Sequence, residues 1–187
     1  FREDNSPFME QRRYNFDPVQ SLAAKGAGII LNISASPYVK GKRRARMEML
    51  SALAADYSTP VVYVNQAGAN DSLIFDGSSM YIDAAGKICG HAISFGEDMI
   101  IADTDSHQEC AVEIDDIEDI NRALVCGVRD YMAKSGFKKA VLGLSGGIDS
   151  ALTAVIACQA VGAENVLGLT MPSEYSSQGS VDDSYTL

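Results

Sequence analysis

Ala140-Val141-Leu142-Gly143-Leu144-Ser145-Gly146-Gly147-Ile148-Asp149-Ser150 is an apolar, strand-like run that enters a Ser-Gly-Gly-x-Asp-Ser turn, and a helical pattern follows at once over residues 151–161. A strand, a glycine turn and the start of a helix leave several backbone N–H groups unpaired, with the positive end of the helix dipole at the turn. That is a cradle for a phosphate. Gly146 and Gly147 let the backbone take unusual dihedrals and approach a ligand closely, and Ser145 and Ser150 add hydroxyl donors. Asp149 reads either as a carboxylate holding Mg2+ between phosphate oxygens or as a cap of the helix. No Lys follows the glycines, so the turn is not a Walker A loop. An ordinary strand-to-helix connection of an α/β fold has the same outline and is the plainer alternative.

The apolar half-unit continues into a second strand, residues 166–171, that ends in Pro172-Ser173-Glu174-Tyr175-Ser176-Ser177. A β-α-β unit that ends at the carboxyl end of its second strand ends where open parallel sheets bind ligands. One such unit cannot bury both faces of a parallel sheet, so residues 140–187 read as the front of a larger domain. Upstream, Asp17 and Pro18 open a helix with Val19, Leu22 and Ala23 as its apolar positions, and Gly26 closes it. A strand is expected over residues 28–33, a basic helix over 42–58 with Met47, Leu50, Leu53 and Ala54 on its buried face, and a strand over 61–65. Further strands are expected at 73–75, 78–82, 87–95 and 98–102, with turns at Asp76-Gly77 and over 83–86. The pattern predicts a mixed sheet with helices over one face.

A polar stretch over residues 103–108 marks a boundary, giving domains over 1–108 and 109–187. Asp115, Asp116, Glu118 and Asp119 then open a helix running to about Lys134, a favourable place for negative charge and expected to be a solvated face. Its inner face is expected to be Ile117, Ile120, Leu124, Val128 and Met132, and Gly136 closes it.

The chain has 187 residues, is 47% hydrophobic and carries a net charge of −10, which is ample for a packed core and argues against wrapping nucleic acid. No apolar run reaches the length of a membrane span, so no membrane partner and a cytoplasmic location are expected. Cys89, Cys110, Cys126 and Cys158 are scattered, with only His91 and His107 as imidazole ligands, which does not suit a zinc site. Cys126 and Cys158 fall in helical apolar patterns and are expected in the core.

Residues 145–150 and the strand ending Met171-Pro172-Ser173-Glu174-Tyr175-Ser176-Ser177 resemble the pyrophosphate-loop ATPases and, within them, NAD+ synthetases. Leu31-Asn32-Ile33-Ser34-Ala35-Ser36-Pro37-Tyr38 with Lys42-Arg43, then Tyr63-Val64-Asn65-Gln66 and Phe75-Asp76-Gly77-Ser78-Ser79, is similar to the second half of the nitrilase-type glutaminase domain fused to glutamine-dependent NAD+ synthetases. The resemblance implies an α/β chain: the C-terminal half of a nitrilase-like αββα sandwich, then the start of a Rossmann-like adenine-nucleotide alpha-hydrolase (pyrophosphate-loop) parallel-sheet domain. It implies ATP-dependent adenylylation of deamido-NAD, displacement of AMP by ammonia from glutamine, and release of pyrophosphate, with ATP and Mg2+ required and a homo-oligomeric assembly.

By the same resemblance, ATP would be held at Gly143, Leu144, Ser145, Gly146, Gly147, Ile148, Asp149, Ser150, Met171, Ser176 and Ser177, with Asp149 also the metal ligand. Glutamine would be held at Ser36 and Lys42, whose hydroxyl and ammonium suit its carboxylate and amide. The family's Glu-Lys-Cys triad is not carried over, because residues 1–14 hold no cysteine and Glu3-Asp4 does not follow one. Another pyrophosphate-loop amidotransferase, or a non-catalytic nucleotide-binding fragment, is the alternative.

Overall fold

The computed structural model describes residues 17–174 and 177–187, and the chain divides into two compact units, residues 1–68 with 75–119 and residues 69–74 with 120–187. In the first unit Asp17 caps α1 (Pro18–Ala24), its carboxylate accepting from the N–H groups of Val19 and Gln20, and Pro18 costs nothing at a position whose N–H has no partner. β1 (Ile30–Ser34) follows, then α2 (Lys42–Asp56), which Ser58 ends in a left-handed conformation (φ 47°) just ahead of Pro60. β2 (Val61–Asn65) runs parallel to β1 with Ile30 beside Val61 and Ser34 beside Asn65.

β3 (Ala67–Asn70) and β4 (Leu73–Asp76) form a two-stranded ribbon, and β5 (Met80–Ile82) and β6 (Ile88–His91) complete a mixed sheet of order β1-β2-β5-β6. Gly86, at φ +83°, closes the turn between β5 and β6 with its N–H on the Asp83 carbonyl. Val19, Leu50, Leu53 and Ala54 from the helices meet Ile30, Val61, Tyr63, Met80 and Ile82 from one face of the sheet. Each large side chain of this kind contributes roughly 1.5–3 kcal/mol on burial. The alternate residues of β1 and β2, Leu31, Ile33 and Val64, are exposed. This is the expected mixed sheet with helices over one face.

Several expectations are corrected. Residues 98–102 lie outside any ladder: the Asp98 carboxylate turns back to accept from Ile93 N–H at 2.9 Å and Met99 N–H at 2.8 Å, while Met99 and Ile101 point to solvent. Ile100 and Ala102 of that apolar alternation pack, against the bare Cα of Gly90. β6 is shorter than the predicted 87–95: its ladder with β5 ends at Met80 and His91, and Ser94 makes an isolated bridge to Gly77. The basic helix does not keep all its charge in water, since Arg43 and Arg46 are buried beside Leu50 and Leu53. Asp119, expected on a solvated face, is buried and accepts from Arg43 Nη1 with both oxygens, at 2.8 and 2.9 Å.

The long helix α3 (Asp116–Lys134) is capped by Asp115, which accepts from Ile117 and Glu118 N–H. It ends at Gly136 (φ +75°), with Phe137 N–H on the Met132 carbonyl at 2.8 Å. Within the second unit its packed face agrees with the predicted one only in part, at Met132 and at the half-buried Ile120 and Val128. Ala123, Cys126 and Met132 are buried whereas Leu124 is exposed, because the ribbon tip docks on a different stripe. Asp130 accepts from Ala69 N–H at 2.7 Å, Lys134 donates to the Ala69 carbonyl, and the Ile74 side chain lies over Gly127. Ile117, N-terminal to this unit, is exposed as well.

β7 (Ala140–Leu144), α4 (Ile148–Val161) and β8 (Val166–Thr170) then form the expected β-α-β unit, with β7 and β8 parallel and paired from Ala140 with Val166 to Leu144 with Thr170. α5 (Gln178–Thr186) closes the chain. Cys126 is in the core as expected, but Cys158 is only half-buried. Among the described residues no helix is long and apolar enough to cross a membrane.

Candidate functional site

In the second unit, β7 ends at Leu144 beside Thr170 of β8, so the turn over residues 145–147 and the segment after Thr170 leave the sheet at the same edge. Gly143 faces Met171, whose Cε would lie 3.6 Å from a Cβ at that glycine, and Leu144 covers Gly168 across the pair. Gly146 sits at φ +74°, and a Cβ there would meet the Ser180 carbonyl oxygen, with Ser180 Cα at 2.6 Å. The first turn of α5 therefore rests on the glycine turn. Ser177 is the cap of α5, accepting from Ser180 N–H at 3.1 Å, and so reaches the turn through Ser180. Ser176 lies outside the described residues.

Ser145 and Ser150, expected to add hydroxyl donors, are bonded to one another and to the backbone of the turn. Ser145 N–H donates to Ser150 Oγ at 3.2 Å, Ser150 Oγ donates to the Gly147 carbonyl at 2.9 Å, and Gly147 N–H donates to Ser145 Oγ at 3.3 Å. These bonds hold the loop in one shape. α4 starts at Ile148, three residues before the predicted 151, and its cap is Gly147, which has no side chain to satisfy the helix end. The first bond of the helix runs from Ala151 N–H to the Gly147 carbonyl at 3.2 Å, so the N–H groups of Ile148, Asp149 and Ser150 precede the ladder. Asp149 is exposed in the first turn rather than at the cap, which removes the capping role the sequence left open. Preorganised backbone donors at a helix start suit an anion that gains charge as a bond to it breaks.

Among the described residues no three His, Cys, Asp or Glu side chains are placed to hold a metal. One exposed carboxylate still fits Mg2+, which is commonly bound by one or two carboxylates with substrate phosphates and water.

In the first unit, Ser36 and Lys42 flank the loop between β1 and α2. Ser36 is pinned by Asn65, with Ser36 N–H donating to Asn65 Oδ1 at 2.8 Å, and Pro37 bridges to Phe75. The Tyr38 ring meets Phe95 edge-on at 5.1 Å. Lys42 opens α2 behind Gly41 (φ +80°), its N–H on the Val39 carbonyl at 3.0 Å.

Beneath this loop lies a polar group to which the sequence assigned no role. Arg46 Nη2 donates to Asp76 Oδ1 at 3.0 Å, and the Arg46 guanidinium stands 5.3 Å from the Tyr63 ring centre. Burial raises the Tyr63 phenol above its ordinary value, against the opposing pull of Arg46. Burial, reinforced by Arg43, lowers the His91 imidazole, so His91 is neutral at pH 7. A lone acid in an apolar stretch ahead of a glycine, Phe75-Asp76-Gly77, was the available signal.

Residues 10–111 match the carbon-nitrogen hydrolase family and residues 120–187 match NAD synthase. The glutamine-dependent NAD(+) synthetase of Synechocystis is 43% identical over 98% of this chain and 34% of its own length, and that of Thermotoga maritima is 38% identical over 91% and 36%. The chain thus spans about a third of the length of these relatives. The structure of the glutamine-dependent NAD+ synthetase of Acinetobacter baumannii, in complex with adenosine diphosphate, superposes with a TM-score of 0.85 at 43% identity, over 89% of this chain and 33% of that one. A synthetase from Cytophaga hutchinsonii shares the fold, with a TM-score of 0.67 at 21% identity over 88% of this chain and 34% of that one. The chain belongs to the carbon-nitrogen hydrolase family and continues into an NAD synthase domain of the pyrophosphate-loop kind.

Proposed function

We propose that this chain is part of a glutamine-dependent NAD+ synthetase, and that its second unit binds ATP for the amidation of deamido-NAD. The observation that carries this is the α4 start: a glycine cap without a side chain, behind a turn stiffened by Ser145 and Ser150, at the carboxyl edge of a parallel strand pair. In the reaction the nicotinate carboxylate attacks the α-phosphorus of ATP and pyrophosphate leaves. Ammonia then attacks the acyl carbon and AMP leaves.

The N–H groups of residues 146–150 would hold the departing pyrophosphate, with Gly143, Leu144 and Met171 beside the nucleotide and Ser176 and Ser177 near its phosphates. Mg2+, when bound, would supply charge neutralisation on the phosphates, and Asp149 is the residue that would hold it. Ser36 and Lys42 would hold glutamine in the first unit. We place the domains at 1–108 and 109–187, a reading supported by family matches that end at 111 and begin at 120. A cytoplasmic homo-oligomer without nucleic-acid or membrane partners completes the proposal, and an excess of 25 acidic over 15 basic residues supports the lack of a nucleic-acid partner.

The test is ATP–pyrophosphate exchange by the full-length protein. Exchange is expected only with deamido-NAD present, and Asp149→Ala is expected to abolish it while glutamine hydrolysis persists. Exchange without the dinucleotide, or undiminished in Asp149→Ala, overturns the assignment.

A further inference from the structure

Asn65 ends β2 and grips Ser36 from both sides. Besides accepting from the Ser36 N–H at 2.8 Å, its amide nitrogen donates to the Ser36 carbonyl at 3.3 Å and to Asp76 Oδ1 at 3.1 Å. The amide can point only one way, because a flipped side chain would set its NH2 against the Ser36 N–H and its carbonyl against the Asp76 carboxylate. Asp76 is fully buried, and the Arg46 side chain bonded to the same oxygen is 5% exposed. Neither partner is fully satisfied: Asp76 Oδ2, Arg46 Nε and Arg46 Nη1 find no partner among the described residues.

Such a pair is a poor device for stability, since apolar residues of similar volume usually serve a core as well or better. Strain is gathered beside it. Ser78 and Phe95 hold left-handed conformations, φ 52° and 59°, and Phe95 N–H donates to the Asp76 carbonyl at 2.9 Å. Strained, buried and partly unsatisfied groups persist where the surrounding structure holds something in place for function.

We propose that Asn65, oriented by Asp76 and Arg46, is a positioning residue for glutamine: by fixing the peptide groups on both sides of Ser36 it sets the direction in which the Ser36 hydroxyl leaves the backbone. This rests on the functional reading above. Small misplacements of a substrate-holding group are expensive, so the grip acts on glutamine use and not on the synthetase chemistry.

The experiment measures NAD+ formation by the full-length protein with glutamine and, separately, with ammonium as nitrogen donor. Asn65→Leu is expected to raise the KM for glutamine by about tenfold, the worth of one net hydrogen bond, while an unchanged kcat with glutamine certifies the fold of the first unit and ammonium-supported rates within about twofold certify that of the second. Asn65→Asp keeps an acceptor for the Ser36 N–H but sets a second carboxylate beside Asp76, and such a pair is relieved by taking up a proton. Its glutamine KM should therefore fall toward the wild-type value as pH is lowered, which a merely structural role would not produce. An unchanged glutamine KM in Asn65→Leu, or equal loss with both donors, overturns the proposal. Wild-type protein that makes no NAD+ from either donor overturns the functional reading itself, and the positioning role with it.

Discussion

Gly146 and Gly136 have nearly the same backbone conformation, φ +74° and +75°, but opposite surroundings. A Cβ at Gly136 meets nothing within 4 Å, whereas one at Gly146 meets the Ser180 backbone, with Cα at 2.6 Å and the carbonyl carbon at 2.7 Å. Backbone atoms in a helix cannot swing aside as a side-chain tip can. Gly136→Ala therefore carries only the left-handed penalty of an L-residue, about 1–2 kcal/mol. Gly146→Ala carries that and an overpacking cost of about 1–3 kcal/mol, roughly 2–5 kcal/mol in all.

The strain is relieved most cheaply by lifting α5 off the turn, so the loss is local. Hydrogen exchange in the full-length protein is the assay: because opening α5 relieves the overpacking and not the left-handed backbone, amides of residues 180–186 should lose protection by roughly five- to a hundredfold in Gly146→Ala, at 1.4 kcal/mol per tenfold. Gly136→Ala should leave those amides unchanged and loosen only the end of α3. Equal effects of the two substitutions on α5 would refute the steric reasoning and, with it, the placement of α5 over the turn.

Two further outcomes are expected. Arg46→Met or Asp76→Leu alone should destabilise by about 3–5 kcal/mol because each leaves a buried charge unpaired, and the double substitution should recover most of that loss in urea unfolding. Its glutamine KM should nonetheless stay raised, since the anchor of Asn65 is gone, and a double variant with wild-type KM would separate the pair from that role. For Asp83, burial raises the carboxyl pKa, but the N–H groups of Lys87 and Ala85 and the His107 ring outweigh it, and the net value lies below 3.8. A depressed carboxylate stabilises the fold above its unfolded pKa and loses that contribution as pH falls through the folded one. Melting of the turn over residues 83–87 should thus steepen with acid below about pH 4, and Asp83→Asn should flatten that dependence.

Much of the fold was legible because the informative segments carry their own punctuation. Asp17-Pro18 starts α1, Gly136 stops α3, and the apolar run into Ser145-Gly146-Gly147 sets β7 and the turn. β3 was missed because Ala67-Gly68-Ala69-Asn70 has little intrinsic strand preference and forms only as the partner of β4. α5 was missed for a related reason: Gln178-Gly179-Ser180-Val181-Asp182-Asp183 is a weak helix former, and the Ser177 cap and the docking of Ser180 on Gly146 are what favour it. Residues 98–102 failed in the other direction, showing a strand's alternation with no edge to join. In the candidate site, glycines and serines mark the turn over residues 145–150 in the sequence itself. The Arg46, Asp76 and Asn65 group joins residues up to 30 positions apart, and a charged helix gives no sign of which arginines will be buried.

β7 and β8 run side by side without a bulge, partner for partner, from Ala140 to Thr170. Adding or deleting one residue in β7 would exchange its two faces, presenting a leucine where Gly143 now leaves room for Met171, and the same change in β8 would turn over the faces of that strand. The pair can accept changes of side chain within each face, but not a change in the number of residues between the strand start and the turn.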